Sequence, residues 1–393
     1  MRRSRFVLLV ASLVVVLFVL GSGAAIRAGA GEGSYKQMLL FSEILSYVVD
    51  NYVDPVDTGK LMSGAYEGLM GGLDAHGAYL TPAEVEEWKK GAAPGDTADA
   101  GLTVLRNGPV LQVVAVAKGS AAESASIAPG DQIRRIAGRS VRDLSLDQAL
   151  RLLRGPAGST VSVDLLRVKD FKREDLKLAR AARSDAPFLL DVDAGAGAAV
   201  LHVNDIDRLP TDALAEELVS VKDRGVDRLL IDLRDVASPD TRRAGAIAEL
   251  FASGELMKLQ DKAGHAVETV AAKRPQPAWG GKLAVLVNGA TAGAGEAVAV
   301  ILRDSRKATV YGEPTYGLGT EPKLIDLPEG GGVLVPAYVW QSVAGKRWNA
   351  DGVAPEKAIK SDGRLGDRDE DQLKRALEDF AKAATASPAP KAA

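Results

Sequence analysis

Apolar and polar positions divide this chain into stretches of different period. Residues Phe6 to Leu20 are uncharged and largely apolar with no polar face, and Arg2, Arg3 and Arg5 precede them. A basic flank, an apolar run and small residues behind it read as a signal peptide or N-terminal membrane anchor over residues 1–30. Extended to Ile26, the run is long enough for a span of roughly 30 Å. The arginines then stay cytoplasmic and the body is exported. Ala28–Ala30 offers a cleavage step but lies far from the run. The expectation leans to a single retained anchor in the inner membrane, facing the periplasm or extracytoplasmic side; cleavage would give a soluble periplasmic protein.

After a short linker the period becomes helical. Leu39, Leu40, Ile44, Leu45 and Val48 recur at three- and four-residue spacing, and Leu61, Ala65 and Leu69 repeat it over Thr58 to Gly71. Residues 36–95 therefore form a helical N-terminal segment, closed by a turn-rich boundary. Residues 96–170 are a small β-rich unit, with apolar strands at Leu102–Leu105, Val110–Val116, Gln132–Ile136 and Val161–Leu166. Its helix begins at Ser145, which forms a capping box with Gln148. From 171 to 375 strands and helices alternate, the pattern of a parallel or mixed α/β sheet. The tail, 376–393, is rich in Ala, Pro and Lys and is expected to be disordered.

Composition narrows the chemistry. The 393 residues carry 49 Lys plus Arg against 52 Asp plus Glu, a formal charge of −3. That balance lacks the basic field of a nucleic-acid binder. Cysteine is absent and the three histidines, His76, His202 and His265, are scattered. Thiol catalysis and a Cys- or His-rich metal centre are thereby excluded, and no cofactor is expected.

Two motifs carry information. The first is Gly101-Leu102-Thr103-Val104 followed by Pro129-Gly130-Asp131. It resembles a bacterial PDZ domain, in which such a loop binds a peptide's terminal carboxylate beside a groove-lining helix. The resemblance implies peptide binding by Gly101, Leu102, Thr103 and Val104, with Leu146, Ala149 and Leu150 on the helix face.

The second is a buried strand from Val285, a small-residue turn and a helix, running through Gly293-Ala294-Gly295-Glu296. A dinucleotide fingerprint is incomplete here: Val298 stands where Gly or Ala belongs, and Glu296 opposes a pyrophosphate. With Gly312-Glu313-Pro314-Thr315-Tyr316-Gly317-Leu318-Gly319, Asp54, Asp74-Ala75-His76 and Asp351-Gly352-Val353-Ala354-Pro355 in order, the chain resembles the carboxyl-terminal processing (tail-specific) proteases. The resemblance implies an α/β fold: a crotonase-like serine-peptidase core with a PDZ domain and a helical N-terminal segment. It also implies a Ser nucleophile and a Lys base, supported by a Gln. Carried over residue by residue, those positions are Gly293, Leu318 and Pro322. The loop that helps build the oxyanion hole reads Asp232-Leu233-Arg234-Asp235-Val236-Ala237-Ser238-Pro239, without its two glycines.

Glycine has no nucleophile and leucine accepts no proton. The expectation is a pseudoprotease that binds polypeptide C-termini or envelope proteins, including an active protease of the same family, and does not hydrolyse them. Two alternatives stand beside it: an active serine endopeptidase using displaced residues such as Thr291, Ser305 or Lys323, and a small-molecule carrier. His76 is expected to pack or hydrogen bond, and Arg234 to pair structurally with Asp232.

Overall fold

The computed structural model describes residues 32–91, 98–193, 197–328, 330–362 and 368–385. The chain divides into two compact units between Ala65 and Tyr66. The first holds a helix from Glu32 to Asn51, whose Leu39, Leu40, Ile44 and Val48 are exposed. This helix covers most of the linker expected before Met38. The next helix runs from Thr58 to Gly71. No helix among the described residues is long and apolar enough to cross a membrane. The apolar run of residues 6–20 lies outside the described residues.

In the second unit the PDZ-like sheet is built from strands Leu102–Asn107, Val110–Val116, Gln132–Ile136, Thr160–Leu166 and Arg173–Ala179, in that spatial order. The last strand extends the sheet past residue 170. The pairing of Asp99 with Ala181 extends the unit further. The helix Leu146–Leu153 has the expected cap: the Gln148 N–H donates to Ser145 Oγ at 3.2 Å, and the Ser145 N–H donates to Gln148 Oε1 at 2.8 Å. Its apolar face closes one side of a core around Leu111, Ile133, Ile136 and Leu165.

The remainder is a six-stranded sheet ordered 188–193, 198–203, 228–232, 282–287, 309–312 and 357–358. Its first pair is antiparallel and the others are parallel. The central strands Leu229–Asp232 and Leu283–Val287 are buried on both faces, which is why they read as continuous apolar runs. A second sheet joins 78–80, 332–342, 255–260 and 266–271, with 320–326 pairing to 332–342. The helix Ala294–Arg306 packs in the core that these sheets share, with Trp279, Trp340 and Trp348. On the opposite face, Ala376, Leu377 and Phe380 cover Ala284, Leu286 and Tyr311. They belong to a helix running from Glu370 to Thr385, so the boundary expected at 376 falls inside an ordered element. The three- and four-residue spacing of Leu373, Ala376, Leu377 and Phe380 explains it: an Ala/Lys-rich composition hid an amphipathic face.

Candidate active site

The turn after strand Lys282–Val287 places Gly293 at the head of helix Ala294–Arg306, with φ +59° and ψ −110°. A side chain is strained in that conformation. A Cβ at 293 would lie 1.9 Å from the Ser238 carbonyl oxygen and 3.5 Å from Leu318 Cδ2. Positions 293 and 318, paired by resemblance alone in the sequence, are thus brought together. The carbonyl stands in the way because Ala237–Ser238 pairs in parallel with Ala292–Gly293, laying the 232–239 loop on the turn. Pro322 lies at a bulge in strand Thr320–Asp326 opposite Pro336.

Glu296 holds this corner. Fully buried, it accepts the Gly293 N–H at 2.9 Å, the Gly317 N–H at 2.6 Å, the Leu318 N–H at 2.7 Å and the Thr315 hydroxyl. No cation faces it. Burial pushes its carboxyl up to about 7 against the pull of those hydrogen bonds. Asp232 is the opposite case. Burial alone would raise it, but the Arg234 guanidinium, with hydrogen bonds of 2.9 and 2.8 Å, and His202 at 3.3 Å hold it well below the usual carboxylate range. Arg234 is thereby the structural partner of Asp232. Asp235, at φ +61°, exchanges hydrogen bonds with Asn288 and fixes the start of the loop.

The displaced candidates do not converge. Thr291 is buried, its hydroxyl donating to the Leu233 carbonyl at 2.8 Å and accepting the Asn288 N–H at 3.1 Å. Ser305 lies in the last turn of its helix, and Lys323 is exposed. His265 pairs with Asp261 at the surface. His76 is buried against Asp147 at 2.7 Å. Burial pulls its pKa down, yet Asp147, with the charges of Asp74 and Glu321, more than offsets this and the net shift is upward. Asp74 accepts the His76 N–H at 2.8 Å and the Thr320 hydroxyl at 2.6 Å, and Leu146 N–H donates to Ala75 at 2.9 Å. Residues 74–76 thus tie the PDZ helix to the peptidase-like core, a role the spacing did not reveal.

Of the peptide-binding positions, Leu102, Thr103, Val104, Leu146 and Leu150 line one cleft of about 550 Å³. Ala149 faces inward, fully buried. Gly101 has φ +81° and abuts Ser120, and its N–H donates to Asp99 Oδ1 at 2.6 Å. Strand Leu102–Asn107 pairs with Val110–Val116 on one edge and, among the described residues, has no sheet partner on the other. Ser238, Pro239 and Leu318 line the same cleft. Ser238, one of the two residues standing where the resembling loop has glycines, donates its hydroxyl to Asp207 at 2.6 Å. Its only sequence signal is a hydroxyl where the resembling loop has glycine.

Comparison with known proteins agrees with this architecture. Residues 197–359 match peptidase family S41, and residues 112–167 match a PDZ domain. The chain is 26% identical over 369 residues to a carboxy-terminal-processing protease of Bartonella bacilliformis, covering 90% of this chain and 81% of that protein. It is 24% identical over 361 residues to the carboxy-terminal processing protease CtpA of Bacillus subtilis, covering 89% and 76%. Among solved structures it is similar to a photosystem II D1 C-terminal processing protease, with a TM-score of 0.59 and 25% identity over 82% of this chain and 92% of that one.

Proposed function

We propose, for a chain that carries a family S41 peptidase domain and a PDZ domain, that it binds polypeptide C-termini without cutting them. The observation that carries this reading is the single cleft. Its walls join the free edge of strand Leu102–Asn107 and the helix residues Leu146 and Leu150 to Ser238 and Leu318 at the turn that bears Gly293. A peptide adding a strand to that edge would lie along the apolar helix face and present its end to backbone donors. At the other end of the cleft it meets an apolar side chain and a proline where a neutral lysine and free backbone donors would be needed. The reading includes export, with an envelope polypeptide or an active protease of the same family as partner.

The test has two parts. The purified protein should leave an unstructured polypeptide with an apolar C-terminus intact. It should bind a peptide with a free C-terminus and lose about 1.5–3 kcal/mol on its amidated twin, the range for a charge-assisted hydrogen-bonded group. Equal binding of both peptides by calorimetry would refute end-recognition. A second reading, an active endopeptidase, is favoured by the Ser238–Asp207 hydrogen bond in the cleft. Turnover abolished by Ser238→Ala would establish it and displace the first.

A further inference from the structure

The PDZ sheet carries a second concave surface, whose lining residues include none of those lining the peptide cleft. Strand Gln132–Ile136 pairs with Thr160–Leu166 through a β-bulge between Ile133 and Arg135. Strict alternation would send one of two consecutive residues into the core. Here Ile133 and Ile136 are buried, and both Arg134 and Arg135 are exposed. A bulge re-aims side chains in this way. Both arginines line a cavity of about 410 Å³ with Gln132, Ser140, Arg142 and Arg173.

Among the described residues the only acid lining it is Asp164, itself buried, which accepts both sides of the Arg173 guanidinium, one at 2.9 Å. No guanidinium of Arg134, Arg135 or Arg142 has an ion pair or hydrogen-bond partner among the described residues. Three unpartnered positive forks around one hollow repel each other, and a bound anion removes that repulsion. Arginine forks match planar or tetrahedral oxyanions, and the volume suits a small ligand.

We infer that this hollow binds a terminal phosphate monoester. Three cations favour a dianionic phosphate over a single carboxylate. The group can come from a soluble phosphate ester or from a phosphatidic acid headgroup, and two arms of one experiment distinguish these sources. In the first, the full chain is titrated with glycerol 3-phosphate by calorimetry at about 50 mM salt, where screening is modest. In the second, it is sedimented with phosphatidylcholine vesicles with and without phosphatidic acid. The difference between the two vesicles cancels any contribution of the apolar N-terminal run.

Arg134→Ala with Arg135→Ala should weaken the responding arm by about tenfold or more, with the melting temperature unchanged. Lysine at both positions should recover only part of the affinity, because charge remains while the fork is lost. Response to glycerol 3-phosphate identifies a soluble ligand, and response to phosphatidic acid alone identifies the headgroup. No response in either arm, or one that the double alanine variant retains in full, overturns the assignment.

Discussion

The peptide groove and the Gly293 corner use the same device for different ends. In each, a glycine at positive φ turns the backbone so that N–H groups point inward, and in each a carboxylate of the chain itself accepts them. At the corner that acceptor is Glu296, buried and bound to three backbone N–H groups and a hydroxyl. In the groove it is Asp99, half-buried and holding the single N–H of Gly101. The deep carboxylate is part of the fold, whereas peptide binding as proposed requires the half-buried Asp99 carboxylate to give way to a ligand. On the proposed reading, the cleft keeps its architecture at one end and its binding chemistry at the other.

The largest effect that would sharpen this contrast is expected from Glu296→Ala. Removing the acceptor leaves buried N–H groups of Gly293, Gly317 and Leu318 unsatisfied and should cost about 4 kcal/mol. Denaturant unfolding measures it. A loss below about 1 kcal/mol would show that the corner is held by packing instead.

The pH dependence comes next. Glu296 is raised from an ordinary 4.5 to about 7. Between those values the folded state holds a proton that the unfolded state has lost, so stability falls as pH rises through that window. The drop is of order 3 kcal/mol at most, at about 1.4 kcal/mol per pH unit. Glu296→Gln should flatten this part of the stability profile. A wild-type profile that instead climbs from pH 4.5 to 7 would show that the hydrogen bonds outweigh burial.

Gly293→Ser tests the corner from the other side. Its backbone is at φ +59° and its new Cβ would sit 1.9 Å from the Ser238 carbonyl oxygen, so the 237–239 loop must move. We expect a loss of about 2–3 kcal/mol from strain and overpacking. Combined with Leu318→Lys it should give little hydrolysis, because Pro239 still denies the loop a donor. Brisk cleavage by the double variant would show that the loop yields easily.

How much of this was legible in the sequence follows from where each constraint resides. Strands such as Ala198–Val203 and helix Leu146–Leu153 were readable because burial or a capping box is written in neighbouring residues. Strand Thr320–Asp326 was not: it contains Pro322, and none of its residues is fully buried. The facing of 293 and 318 was reachable through family resemblance. The Ser238 carbonyl at that spot was not, since it depends on a two-residue pairing between segments far apart in the chain. Nor was the capture of Gly101 by Asp99, where motif reading saw a free carboxylate loop and the fold shows its first donor taken.

That last contact yields the smallest expected effect. Asp99 accepts the Gly101 N–H, and on the proposed reading it places negative charge where a peptide carboxylate arrives. Asp99→Asn keeps an oxygen to hold the turn and removes the charge. Binding of a peptide with a free C-terminus should then tighten by roughly 1 kcal/mol, about fivefold, as expected for one partly solvated charge contact. The amidated twin lacks the repelled group, so its affinity should stay unchanged. Only the difference between the two peptides is diagnostic, because any general change in the groove moves both. If Asp99→Asn weakens both equally, the carboxylate is a strut of the turn like Glu296, and the two ends of the cleft are alike after all.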